Sequence, residues 1–241
     1  MQRSKIMLAL LLAGLMLGNS CSDSFWNCIE GNGRTATVRR VVGDFTNVTS
    51  YGDFIVDVSI GETTSVSVEA DENLLSYIET YIKGNTLVIE TEDNQCIESR
   101  EQIYVHIVTP SVYELKMSGS GVIYCDDVTA DELKYVLTGS GDIQSTGLSV
   151  NFIEANLTGS GEISLSGSAA QTDFLISGSG NIKALSLEQN KCIATVSGSG
   201  TIYTFVNELL DALISGSGNI VYKGEPEKEV NITGSGRVIR Y

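Results

Sequence analysis

Apolar and polar residues alternate through the second half of the chain around a Gly-Ser-Gly motif that returns seven times. Successive motifs begin 20, 20, 19, 20, 18 and 18 residues apart. A branched aliphatic residue stands two places after each motif, and apolar residues stand two and four places before it. The motif glycines are Gly119 and Gly121, Gly139 and Gly141, Gly159 and Gly161, Gly178 and Gly180, Gly198 and Gly200, Gly216 and Gly218, and Gly234 and Gly236.

This alternation predicts strands that present one face to a core, because side chains of a strand point to opposite faces in turn. A repeat of 18–20 residues that holds two or three short strands is typical of one coil of a parallel β-solenoid. With strands about 4.8 Å apart, six steps advance the stack by roughly 29 Å. We therefore predict an all-β chain in which residues 111–241 form a parallel β-helix of about seven Gly-Ser-Gly coils.

The motif glycines fit corners where the backbone turns with positive φ or packs closely on the next coil. The serines between them would form a ladder of hydroxyl groups, which we interpret as structural. The alternative is a serine nucleophile, but the only histidine, His106, lies outside the repeats and gives it no partner.

Residues 43–110 alternate in the same way without a visible repeat, as in the segments 51–60, 64–69, 86–91 and 102–109. Between them, Asp71-Glu72-Asn73 before two leucines indicates a capped short helix. An atypical segment next to a solenoid is typical of a cap that shields the first coil from water and from edge pairing. We therefore predict an N-terminal β cap over residues 43–110.

The N-terminus reads as a targeting signal. Arg3 and Lys5 precede an apolar run of twelve residues, and three small or polar residues lead to Cys21. Twelve apolar residues are too few to span a bilayer, which needs about 20, so residues 1–20 are predicted to be a signal peptide. The approach to Cys21 resembles the bacterial lipoprotein signal, which makes Cys21 the expected lipid attachment site and residues 21–42 a tether. The alternative is ordinary cleavage nearby with a soluble product.

Charge and composition exclude several classes of function. The chain has 15 basic and 30 acidic residues and a formal net charge of −15, which argues against a nucleic-acid partner. Such a charge disfavours anionic head groups, so the lipid would have to hold the protein at the membrane. One histidine and five scattered cysteines leave little for a metal or haem site, and we predict no cofactor.

Four cysteines remain after Cys21, and an oxidising envelope permits disulfides between them. Cys125 and Cys192 share the inward parity but lie more than three coils apart, which excludes a bridge between them. Cys28 and Cys96 lie outside the repeats. Either these two form a bridge worth about 3–4 kcal/mol in the chain-entropy model, or all four thiols are free.

Other chemistry finds little support in the repeats. The residue after each motif ranges from Val122 to Arg237, so no repeated calcium ligand exists. Asp142 and Glu162 would be about 4.8 Å apart, near the carboxylate separation of retaining glycosidases, but both would face solvent. We therefore predict no catalytic residue.

Two outward-facing sets of side chains are candidates for binding. Tyr124 and Tyr203 lie four coils apart and cannot form one aromatic platform for a sugar. Val136, Leu175 and Leu213 recur at every second coil of one outward row. We interpret them as scattered surface residues, with a contact face for a partner, a second copy or the cap as the alternative.

Several unlike motifs occur in an order that resembles a known family. They are Asp44-Phe45-Thr46, Gly52-Asp53-Phe54, Ala70-Asp71-Glu72-Asn73-Leu74, Gly84-Asn85-Thr86-Leu87-Val88-Ile89, Thr109-Pro110 and the Gly-Ser-Gly ladder. Over about residues 43–241 the chain is similar to the auto-transporter adhesin, head GIN domain family of Gram-negative envelope lipoproteins. The resemblance implies a β-helical fold at the cell envelope and brings no catalytic residues with it.

These observations favour a non-enzymatic envelope lipoprotein, anchored in the outer membrane, that serves as an adhesion or ligand-binding module. Its expected partners are the membrane, through the lipid, and a glycan or protein ligand. One alternative is a structural or regulatory envelope protein that acts through self-assembly or a signalling partner. A polysaccharide-cleaving β-helix enzyme is the less favoured alternative.

Overall fold

The computed structural model describes residues 28–241, so the predicted signal peptide and Cys21 lie outside the described residues. Nineteen strands and one 3₁₀ turn, Leu75–Tyr77, make up this part of the chain. The first nine strands are β1 (Ile29–Glu30), β2 (Thr35–Arg40), β3 (Asn47–Gly52), β4 (Ile55–Ile60), β5 (Ser65–Asp71), β6 (Ile78–Lys83), β7 (Thr86–Thr91), β8 (Ile97–Glu98) and β9 (Tyr104–Thr109). The others are β10 (Glu114–Gly119), β11 (Val122–Cys125), β12 (Thr129–Gly139), β13 (Asp142–Gly159), β14 (Glu162–Ile176), β15 (Asn181–Val196), β16 (Thr201–Ile214), β17 (Asn219–Lys223), β18 (Glu227–Ile232) and β19 (Arg237–Arg240).

The strands from β10 onward stack in parallel with the register that the motif spacing predicts. Ile143 pairs with Ile163 on the next coil, and Ile163 pairs with Ile182. The rows that flank the motifs are fully buried along most of the stack and form one continuous hydrophobic core. The predicted all-β parallel solenoid is confirmed, with about six turns between the seven motifs.

The coils of 19 or 20 residues have three corners. In the coil of residues 142–161, inward and outward positions alternate except at 146–147, at 151–152 and at the Gly-Ser-Gly motif. At each of these places two or three consecutive residues face outward, which bends the strand while the ladder continues. The coil therefore encloses a narrow core with three outer faces.

The chain does not enter the stack in sequence order. β3 and β4 pair in parallel with β10 and β11, which places Gly52 opposite Gly119. On their other side, β3 and β4 pair in parallel with β7 and β9. Much of the predicted cap, residues 43–110, thus continues the coils, and only β2, β5 and β6 pair antiparallel and close the end.

The predicted tether is shorter than the sequence indicated. Within residues 21–42, β1 pairs with β8 and β2 pairs antiparallel with β5. The segment of β2, Thr-Ala-Thr-Val-Arg-Arg, holds three β-branched residues that suit a strand, and it covers the open edge of β5. From Ile29 onward the chain therefore belongs to the cap.

Asp71 does not cap a helix as its position suggested. The 3₁₀ turn that follows it has Leu74 at its N-cap position and no side-chain capping hydrogen bond. The carboxylate of Asp71 points instead into the cap, where it accepts hydrogen bonds from Gly33 N (2.5 Å), Arg100 N (2.9 Å) and Ser99 Oγ (2.9 Å). Asp71 thus joins the N-terminal segment to the loop between β8 and β9.

Cys28 and Cys96 form a disulfide, with their Cα atoms 4.5 Å apart. The bond joins the residues just before β1 and β8 and lies outside the solenoid core. Cys125 and Cys192 are buried free thiols, as the inward parity of both positions predicted. Burial raises the pKa of Cys125 to about 12 and that of Cys192 to about 11, so both are poor nucleophiles at neutral pH.

Candidate functional site

The ladder of motif serines is an architectural feature. Each serine is exposed, whereas the glycine after it is buried. The carbonyl of the first glycine accepts two hydrogen bonds from the next coil, as at Gly139, whose oxygen lies 2.9 Å from Ser160 N and 3.2 Å from Gly161 N. A Cβ at any motif glycine would lie within 2.5 Å of a backbone oxygen of the coil before. This close stacking explains why both positions are glycine, and it requires nothing of the serine side chain.

A groove of about 450 Å³ opens on the outer surface of the solenoid across β13, β14, β15 and β16. Its size falls within the range of about 300–1,000 Å³ that small-molecule sites occupy. Half of its lining residues are Ser or Thr, but the side chains of Ser145 and Leu165 are buried in the core. The lining residues are Gln144, Ser145, Thr146, Ser164, Leu165, Ser166, Lys183, Leu185, Ser186 and Tyr203.

The groove exists because neighbouring coils differ in length. The coils that begin at Gly139, Gly159, Gly178 and Gly198 have 20, 19, 20 and 18 residues, so their strands cannot remain in register throughout. Three shifts fall at one corner, between Ser145 and Leu148, between Ser164 and Ser166, and between Ala184 and Glu188, and a further shift follows between Gln189 and Lys191. Where coils are equally long, as in β16 and β17, the pairing runs without a shift. The groove therefore marks the corner where the unequal coils adjust to one another.

The groove carries little net charge. Lys183, the one charged residue of its lining, has its Nζ 2.6 Å from the Glu162 carboxylate. The hydrogen bond from Lys183 to Glu162 raises the pKa of Lys183, so its ammonium group stays protonated at neutral pH. Glu162 also accepts a hydrogen bond from Ser164 Oγ at 2.9 Å, and Asp142 accepts one from the Glu162 N–H at 3.1 Å. Asp142 and Glu162 are thus engaged with neighbouring groups, and this arrangement gives the glycosidase interpretation no support.

Tyr203 lines one end of the groove, and Tyr124 lies one coil beyond its other end. Along the solenoid axis, Tyr124 pairs with Gln144, and Lys183 pairs with Tyr203, so both tyrosines belong to one outward row. Four coil steps separate them, about 19 Å by the strand spacing, and they do not form one platform. Sequence reasoning identified both tyrosines but missed the groove between them, although the unequal motif spacing is a signal for it.

The single histidine lies in the same outward row, closer to the cap. His106 pairs with Ser67 on one side and with Asp57 on the other, which places the three residue types of a catalytic triad side by side. His106 Nδ1 lies 3.7 Å from the Asp57 carboxylate, beyond hydrogen-bond distance, and both side chains are about half exposed. Triad chemistry needs an oriented imidazole and an oxyanion site, and this open row supplies no such orientation.

The row of Val136, Leu175 and Leu213 lies on another face of the solenoid. The pairing places all three in one outward row, as the repeat predicted. Leu175 and Leu213 are partly exposed, and the similarly exposed Ile193 lies beside them, with the acidic Asp173 and Asp211 in line with it. The face remains a candidate contact surface.

Two further features concern residues 28–241. These residues contain no group of three or more His, Cys, Asp or Glu side chains placed to hold a metal ion. No helix among them has the length and apolar character needed to cross a membrane.

The fold and the groove define a β-solenoid protein with a concave surface on its outer wall. Residues 44–226 match the family described as "putative auto-transporter adhesin, head GIN domain", and the chain belongs to this family. No curated protein matches the chain.

Solved structures of similar proteins come from Bacteroides and Parabacteroides species. A "putative adhesin" from Bacteroides fragilis is 22% identical, with a TM-score of 0.82 over 88% of this chain and 100% of that one. A "putative lipid binding protein" from Parabacteroides distasonis is 26% identical, with a TM-score of 0.77 over 88% and 99%. A "putative adhesin" from Parabacteroides merdae is 23% identical, with a TM-score of 0.69 over 88% and 98%. The likeness to the two adhesins supports the solenoid fold.

Proposed function

We propose that the protein is a non-enzymatic cell-envelope lipoprotein that binds its ligand in the groove and thereby serves adhesion. The observation that carries the proposal is the groove itself, a concave and mainly apolar surface with a few polar side chains on the outer wall of the solenoid. Membership of a family named for adhesins supports a surface or envelope role. The free cysteines are buried, and the carboxylates beside the groove are engaged by neighbouring groups, so a binding role accounts for these side chains better than a catalytic one.

Lipid attachment at Cys21 is part of this proposal, and it rests on the sequence of residues 1–21. The native protein should partition into the detergent phase of a Triton X-114 extraction, because an acylated N-terminus is hydrophobic. Cys21→Ser should release the protein into the aqueous phase or leave the signal peptide uncleaved, whereas Cys125→Ser should change neither property. A Cys21→Ser protein that is processed normally and stays in the detergent phase would contradict the assignment.

The groove is tested by filling it. A glycan and matrix-protein binding array on the purified protein should give at least one ligand, and Ser164→Trp should weaken its binding at least tenfold because the indole occupies the groove. Glu208→Trp is the matched control, since Glu208 is exposed on β16 and does not line the groove. Equal binding by the two variants would show that the ligand site lies elsewhere.

A lipid ligand is the second candidate. The Parabacteroides distasonis relative is named as a lipid-binding protein, and Leu165 and Leu185 give the groove an apolar component. Phosphatidylcholine vesicles and palmitate therefore belong in the same array. Their capture by the Glu208→Trp protein and loss in the Ser164→Trp protein would favour this role.

A further inference from the structure

We propose that the ligand of the groove is a neutral, linear glycan that lies along the solenoid axis. This inference rests on the proposed function, because it assigns a chemical class to the ligand of the same groove.

The lining favours a ligand that carries both apolar faces and many hydroxyl groups. The lining surface is mostly apolar, and Gln144, Ser166 and Ser186 add hydrogen-bond donors and acceptors to it. An acyl chain would bury these polar groups without hydrogen bonds, which costs free energy for each group. A pyranose ring instead presents its C–H faces to leucine and tyrosine while its hydroxyls bond to the polar rim.

The charge around the groove favours a neutral ligand. The ammonium group of Lys183 is already neutralised by Glu162. Asp142 lies next to Glu162, and Asp126 accepts hydrogen bonds from Thr146 at the rim, so the surroundings are acidic. The whole chain carries a formal charge of −15, which further repels a polyanion. A polyuronate or a sulfated glycan would therefore bind more weakly than an uncharged chain.

The repeat of the solenoid suits a linear polymer. Gln144, Ser164 and Lys183 occupy equivalent positions on successive coils, about 4.8 Å apart, which is close to the length of one sugar ring in an extended chain. Tyr124 and Tyr203 continue this row at its two ends. A chain of about four rings would thus meet a polar side chain at each step and an aromatic ring at each end.

A peptide fits the same surface less well. Peptides that bind by strand addition need an unpaired sheet edge, whereas the strands under the groove are paired on both sides apart from short interruptions, such as residues 185–187 of β15.

The test is isothermal titration calorimetry of the purified protein with cellohexaose, chitohexaose, mannohexaose and hexagalacturonic acid. At least one neutral hexasaccharide should bind, and hexagalacturonic acid should bind at least tenfold more weakly. The disaccharide of the same sugar should bind with at least tenfold lower affinity than the hexasaccharide, because it cannot reach both tyrosines. Tyr203→Ala and Tyr124→Ala should each lower the affinity for the hexasaccharide at least tenfold, whereas Tyr81→Ala, in the cap, should leave this affinity unchanged.

The outcomes separate this inference from the proposed function. If no neutral hexasaccharide binds, or if Tyr203→Ala binds it as the wild type does, the glycan assignment is wrong. A protein or lipid ligand that Ser164→Trp blocks would overturn the glycan class and retain the groove as the binding site. A ligand that Ser164→Trp leaves unaffected would overturn both.

Discussion

Asp71→Ala is expected to destabilise the cap by about 3 kcal/mol. A hydrogen bond to a charged group contributes about 1.5–3 kcal/mol, and water that enters the space left by the carboxylate would restore part of the lost hydrogen bonding. The carboxylate is fully buried and holds two separate segments together, through Gly33 on one side and through Ser99 and Arg100 on the other. Gly31 packs so closely on it that a Cβ there would lie 2.2 Å from Asp71 Oδ2.

The same residue makes the stability depend on pH. Burial by itself would raise the pKa of Asp71, but the hydrogen bonds from Arg100 N, Ser99 Oγ, Gly33 N and Glu101 N outweigh it and hold the pKa below 3.8. A carboxyl whose pKa is lowered by folding stabilises the protein above its unfolded pKa, and this contribution disappears as the pH falls through the lowered value. The wild type should therefore lose stability below about pH 4, and Asp71→Asn should lack this part of the loss.

Urea unfolding followed by circular dichroism at pH 7 and pH 3 measures both effects. Glu72→Ala is the matched control, because the neighbouring Glu72 forms an exposed ion pair with Arg34 that is worth at most about 1 kcal/mol. If Asp71→Ala is no less stable than Glu72→Ala at pH 7, Asp71 does not hold the cap together.

The solenoid could be predicted from the sequence because its core repeats. Positions such as Ile143, Ile163 and Ile182 recur at the coil length, and parallel stacking turns this period directly into register. The cap could be predicted only in outline. β3 and β4 stack between β7, β9 and the first repeated coil, out of chain order, and their corner has Gly52-Asp53-Phe54 where the repeats have Gly-Ser-Gly. Non-local pairing of this kind leaves no period to detect.

The groove could be predicted from the sequence only in part. Its residues are ordinary serines, leucines and a lysine, and none of them marks a binding site by its type. The signal is instead the change in motif spacing from 20 to 19, to 20 and to 18 residues. Spacing shows that the register must shift, but the corner where it shifts depends on local geometry, such as the positive φ of Gly147 (68°) and Gly167 (127°).

The motif glycines should differ in their sensitivity to a Cβ according to their backbone conformation. Gly159 has φ +133° and would place a Cβ 2.1 Å from the Gly139 carbonyl oxygen, so Gly159→Ala combines backbone strain with a steric clash. A Cβ at Gly178 would lie 2.2 Å from the Gly159 carbonyl oxygen, but the φ of Gly178 lies outside the left-handed region. Gly178→Ala therefore introduces the steric clash without backbone strain. Each effect costs about 1–3 kcal/mol, and we expect a loss of about 2–6 kcal/mol at Gly159 and about 1–3 kcal/mol at Gly178.

Ser160→Ala is the control for thermal and urea unfolding of the two glycine variants. Ser160 lies at the same corner, and its substitution removes only an exposed hydroxyl group. We expect Ser160→Ala to match the wild type in stability and in ligand binding, because the corner is held by the backbone hydrogen bonds of Ser160 N and Gly161 N to Gly139. Equal losses at Gly159 and Gly178 would show that close approach alone selects glycine. A Ser160→Ala protein that stays folded and loses its ligand would instead make the serine ladder the binding surface and remove that role from the groove.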